Sequence, residues 1–75
     1  MQIMMPLQID TTKIRMERAR LNLSKKQLAE KIGETGFVIG NIENEKYKTV
    51  KLPVLEKIAE TFGLKVEDLL KKEER

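Results

Sequence analysis

Seven lysines and arginines lie between residues 13 and 31, opposed in that span only by Glu17 and Glu30, whereas residues 56 to 75 hold five basic against six acidic side chains. Clustered cations suit one chemistry above others: they neutralise phosphates, release condensed counterions and so drive association with a polyanion. A solvated helix face has the same composition, and charge alone leaves both readings open. Other chemistries are poorly supplied. The chain has no His and no Cys, which removes the usual zinc ligands, the commonest general base and the nucleophilic thiol. No carboxylate pair stands out beyond surface charges, and the glycines follow helix ends instead of forming a phosphate loop. The expectation is a binding protein and not an enzyme, with no cofactor and no metal.

The bulk numbers agree with a small folded unit. Seventy-five residues make one domain that can bury only part of its unfolded surface. A hydrophobic fraction of 40% beside 36% charged residues is too apolar for full disorder and too interrupted for a membrane span. The leading "MQIMMPLQI" lacks a basic stretch and is broken by Pro6, so it does not read as a secretion signal, and cytoplasm is the expected location with no membrane partner.

Apolar residues recur at helical spacing nearly throughout, which predicts an all-α chain, a compact five-helix bundle over residues 12–71. Helix 1 is expected to start after Thr11 or Thr12, either one acting as its cap, with Ile14, Arg18 and Leu21 along one face and Ala19 where another helix approaches. Asn22 suits the left-handed stop. Ser24 and Gln27 form a Ser-x-x-Gln capping box for helix 2, about Lys25 to Ile32, whose buried stripe is Leu28, Ala29 and Ile32. Gly33 makes the following turn, and Thr35 caps helix 3, about Gly36 to Asn44, with Ile39 and Ile42 facing inward. Helix 4, about Leu52 to Phe62, tolerates Pro53 in its first turn and ends at Gly63. "VEDLL" makes the fifth helix, Leu69 and Leu70 closing the core. Residues 1–11 read as an arm, extended against a second subunit or disordered; without Arg or Lys it does not suit a minor groove. Residues 72–75 read as a frayed tail.

Two short helices joined by a glycine turn, with small Ala29 on the first and branched Ile39 plugging the angle from the second, make a helix-turn-helix. The stretch "LSKKQLAEKIGETGFVIGNIENEK" resembles the lambda-repressor-like, or Cro/repressor (XRE), helix-turn-helix family, and the likeness continues through "LPVLEKIAETFGLKVEDLL", covering about residues 12 to 70. The resemblance implies that helix 3 enters the major groove of double-stranded DNA while helix 2 lies across the backbone. It implies phosphate contacts from Lys25, where the family usually has Gln, with Lys26 beside it, and from Asn44, Lys46, Tyr47 and Lys48 in the loop after helix 3. Glu45 stands in that loop where the family usually has Gly. Glu43 matches the family's Glu, and Arg18 its partner on helix 1, which implies a structural bridge between helices 1 and 3. Arg18, Ala29, Gly33, Ile39 and Glu43 thus carry the scaffold.

The base-reading positions depart furthest from the pattern. They fall on Thr35, Gly36, Phe37, Val38, Gly40 and Asn41, of which only Thr35 and Asn41 can hydrogen-bond to a base. Val38 is expected to be buried beside Ile39, leaving Thr35, Gly36, Phe37 and Asn41 as candidates. The leading expectation is a sequence-specific DNA-binding transcriptional regulator acting as a homodimer on a two-fold operator. Two alternatives stay open: a protein-interaction module similar to the bridging-factor coactivators, docking a protein partner on the Gly-Phe-Val surface, and the antitoxin subunit of a toxin–antitoxin pair.

Overall fold

The computed structural model describes residues 9–47 and 50–71. Residues 1–8 of the expected 1–11 arm, the tail over residues 72–75, and Lys48 lie outside them. Four α-helices follow one another, α1 Thr11–Arg20, α2 Lys25–Ile32, α3 Gly36–Glu43 and α4 Leu52–Phe62, and a 3₁₀ turn, Val66–Leu69, follows α4. Among the described residues there is no strand, only an isolated antiparallel bridge between Ile9 and Leu70.

The local signals act as their chemistry requires. Ser24 and Gln27 form the reciprocal capping box, the Ser24 hydroxyl accepting from the Gln27 amide at 3.0 Å and the Gln27 carbonyl from the Ser24 amide at 2.8 Å. Gly33 ends α2 at φ 75° and Gly63 ends α4 at φ 74°, a conformation that costs a residue without Cβ little. Asn22 takes the left-handed conformation after α1 at φ 57°. Ile14, Leu28, Ala29, Ile32, Ile39, Ile42, Leu55, Ile58, Ala59, Phe62 and Leu69 make one buried cluster. Helix α2 packs on α3 and α4, α1 on α3, and the 3₁₀ turn closes against α4 and α1.

Four expectations need correction. The cap of α1 is Asp10, whose carboxylate accepts from the Lys13 amide at 3.2 Å; Thr11 is already helical, buried, and donates its hydroxyl to Glu45 at 3.2 Å. Asp10 is held there by its own amide, which donates to the Leu69 carbonyl at 2.8 Å. Ala19 and Leu21 are exposed; α1 meets the domain through Ile14 and the Arg18 guanidinium instead. Helix α3 stops at Glu43, with Asn44 as its C-cap. The fifth helix is a single 3₁₀ turn, because Leu70 leaves it extended, at φ −103° and ψ 144°, to bridge Ile9; Leu69 is fully buried and Leu70 only partly.

Candidate nucleic-acid interface

The cations of the basic segment divide into two groups. On α1, Lys13 and Arg20 both pair with Glu17, at 3.6 and 2.7 Å, while Arg15 and Arg18 converge on Glu43. Arg18 grips the buried Glu43 carboxylate with Nε at 2.8 Å and Nη2 at 3.1 Å, the expected bridge, and its Nη1 donates to the Leu23 carbonyl at 2.9 Å. Sequence reading missed Arg15, which donates to the Glu43 carbonyl at 2.7 Å. Its place three residues before Arg18, on the same side of α1, was the available signal. Lys25, Lys26 and Lys31 make no ion pair among the described residues. The segment's cations without a described carboxylate partner therefore sit on α2, with Lys25 and Lys26 exposed in its first turn. There the helix dipole adds partial positive charge.

Helix α3 stands on the turn built by Gly33 and is capped by Thr35, whose hydroxyl accepts from the Val38 amide at 3.3 Å. Its residues face three ways. Ile39, Ile42 and Glu43 point into the domain, and Val38 packs partly buried against the core as expected. Gly36 faces α2, since a Cβ there would meet the Lys26 backbone at 3.6 Å. Phe37, Gly40 and Asn41 form the outer face. The Phe37 ring is 76% exposed, the most exposed of the large apolar side chains described. Asn41 donates from Nδ2 to the Tyr47 hydroxyl at 3.2 Å.

That last contact depends on the loop after α3. Glu45 adopts φ 59°, the left-handed conformation for which the resemblance implies Gly, and its carboxylate is engaged by Thr11 on α1. The Lys46 amide then folds back to the Asn41 carbonyl at 2.9 Å, which carries Tyr47 alongside α3. Asn44, Lys46 and Tyr47 are all exposed beside that outer face. The structure thus brings Phe37, Asn41 and Tyr47 to one side, sets Lys25 and Lys26 across Gly36, and turns Thr35 and Gly36 toward roles within the fold.

A helix-turn-helix family model matches residues 14–69. The chain belongs to the helix-turn-helix family. The resemblance to its lambda-repressor-like, Cro/repressor branch agrees with the solved structures of similar fold. A chain of the SinR/SinI protein complex superposes with a TM-score of 0.78 at 25% identity, covering 85% of this chain and 62% of that one. SinR, the master regulator for biofilm formation, solved in complex with DNA, gives 0.74 at 24% identity, covering 81% and 97%. Hydroxypropylphosphonic acid epoxidase from S. wedmorenis gives 0.74 at 21% identity, but the overlap is only 35% of that enzyme's chain against 88% of this one, a shared fold and no more. The chain spans less than two thirds of the first of these chains. No curated protein sequence matches it.

Within this helix-turn-helix, Gly40 is a position the fold does not require. Nothing lies within 4 Å of a Cβ built there. Gly40→Ala is expected to stabilise α3 by about 0.5–1 kcal/mol and raise the melting temperature by about 2–8 °C. Calorimetry tests this, and an unchanged or lower melting temperature would mean that the glycine serves the isolated domain itself.

Proposed function

We propose that this chain is a sequence-specific DNA-binding transcriptional regulator whose α3 enters the major groove. The observation that carries the proposal is the outer face of α3: an aromatic ring left 76% exposed beside an amide, on a helix-turn-helix with two unpaired lysines at the start of α2. Family membership supports the DNA-binding class, and SinR, solved with DNA on the same fold, supports the mode. In this reading Lys25 and Lys26 contact phosphate on one side of the groove, and Asn44, Lys46, Tyr47 and Lys48 on the other, while Phe37 and Asn41 approach the bases and Thr35 and Gly36 serve the cap and the α2 contact. A homodimer supplies two half-sites, because one such face makes few base contacts. The reading includes a cytoplasmic location, with no catalytic centre, metal or cofactor. No described helix is long and apolar enough to cross a membrane, and no described cluster of three carboxylates could hold a metal.

A second reading follows from the same ring. Phe37 could dock a protein partner, as in a coactivator or an antitoxin, and the SinR/SinI complex supports a protein partner for this fold.

Salt dependence separates the two. Affinity for a fragment selected from random DNA is expected to fall steeply with ionic strength, and the Lys25→Ala, Lys26→Ala double variant should lower the slope of log K against log salt by about 1.8, near 0.9 per lost phosphate contact. Titration by fluorescence anisotropy at several salt concentrations measures it. A slope unchanged by the two substitutions removes the α2 contacts, and no DNA bound at low salt removes the regulator reading in favour of protein docking.

A further inference from the structure

We infer that the outer face of α3 reads two A·T pairs, Phe37 against a thymine methyl and Asn41 on an adenine, with Tyr47 as the residue that positions the Asn41 amide. This rests on the DNA-binding reading above and names what the face selects.

The case begins with the Asn41 side chain. Its amide offers two N–H donors and one carbonyl acceptor. One donor is taken by the Tyr47 hydroxyl at 3.2 Å, which orients the group. What remains for a partner is one N–H beside one C=O. Adenine presents the complement on its major-groove edge, an acceptor at N7 and a donor at N6, whereas guanine presents two acceptors, so the Asn41 carbonyl would face O6 with no proton between them. An amide free to rotate by half a turn would present its donor and acceptor in the reverse order about as well. A Tyr47 hydroxyl whose own proton goes to a phosphate oxygen can only accept, so on DNA the contact holds Nδ2, and not the carbonyl, toward it. Because the Tyr47 oxygen accepts from Asn41, its own O–H stays available to a phosphate oxygen, so one residue can tie backbone register to base reading.

Phe37 lies one turn earlier on the same side. Exposed to water it gains nothing, and among the base edges of the major groove the thymine methyl is the apolar group it can cover. Gly40, with empty space where a Cβ would stand, lets the helix surface come close between the two side chains. Four residues along a helix rise about 6 Å, against roughly 3.4 Å per base step, so Phe37 and Asn41 meet different base pairs. The other base-reading candidates are committed elsewhere: the Thr35 oxygen accepts from the Val38 amide, and Gly36 faces Lys26.

Single-atom changes in the DNA test this directly. In the fragment won by selection, each thymine is replaced in turn by deoxyuridine, which lacks only the methyl, and each adenine by 7-deaza-adenine, which lacks only the N7 acceptor. Affinities are measured for the wild type, Phe37→Ala, Asn41→Ala and Tyr47→Phe, each checked for an unchanged melting curve. Deoxyuridine at one position should weaken the wild type by roughly fourfold, with no such loss in Phe37→Ala. The deaza base at another should weaken it by about tenfold, with no loss in Asn41→Ala and a reduced loss in Tyr47→Phe. A wild type that binds the fragment but tolerates every analogue overturns the inference and leaves the DNA-binding reading standing; so do penalties that persist unchanged in the Phe37 and Asn41 variants. No DNA recovered in the selection removes both.

Discussion

Arg18→Ala is expected to cost about 3 kcal/mol of folding stability and to lower the melting temperature by roughly 12–24 °C. Glu43 is only 2% exposed, and Arg18 supplies both of its side-chain hydrogen bonds, at 2.8 and 3.1 Å, while also satisfying the Leu23 carbonyl. Removing the guanidinium strands a buried carboxylate, for which losses of about 3–5 kcal/mol are usual. The lower end applies because Arg15 remains 3.6 Å away and can take part of the load. Domains of this size hold roughly 4–11 kcal/mol in all, so the variant should remain folded only with a narrow margin. The control is Arg18→Met with Glu43→Leu, which removes both charges and keeps the volume. If the loss comes from an uncompensated charge, the double variant should recover most of it. Thermal melting monitored by circular dichroism reads all three proteins. An Arg18→Ala melting temperature within a few degrees of wild type, or a double variant below the single, would defeat this account.

That bridge also marks where the sequence was legible and where it was not. Caps, turns and stripes are local: Ser24 with Gln27, Thr35, Gly33 and Gly63 were read from neighbouring residues because the groups they satisfy are neighbours too. The Arg18–Glu43 pair came through the family likeness, since nothing local joins α1 to α3. Errors fell where a distant residue decides between adjacent candidates. Asp10 outcompetes Thr11 and Thr12 as the cap because the Leu69 carbonyl holds its amide, and the end of the chain straightens at Leu70 because Ile9 is there to bridge it. In the interface, Phe37 and Asn41 also came through the family likeness, as base-reading positions. The Asn41–Tyr47 contact did not, because it depends on Glu45 making a left-handed turn that the sequence pattern assigns to glycine.

Ile39→Ala should have the other large effect, and it acts on both stability and recognition. Ile39 is 1% exposed and lies about 200° around α3 from both Phe37 and Asn41, so the residue that seats the helix is opposite the ones that face outward. Truncation deletes buried carbon and leaves a cavity in the α2–α3 contact, for which about 2–5 kcal/mol is the usual range. The melting temperature is expected to fall by roughly 8–40 °C, and Ile39→Val, losing one methylene, by a fraction of that. The recognition consequence is separable. At a temperature where the variant is still folded, the phosphate contacts proposed for Lys25 and Lys26 should survive, because both residues belong to α2 and need no fixed angle for α3. Affinity for the selected fragment should therefore drop toward that for unrelated DNA, while the salt slope stays near the wild-type value. Competition between the two DNAs at fixed salt reads the ratio. A ratio that stays at the wild-type value while the melting temperature falls would mean that the angle of α3 is set elsewhere, by the Thr35 cap and the Arg18–Glu43 bridge at its two ends.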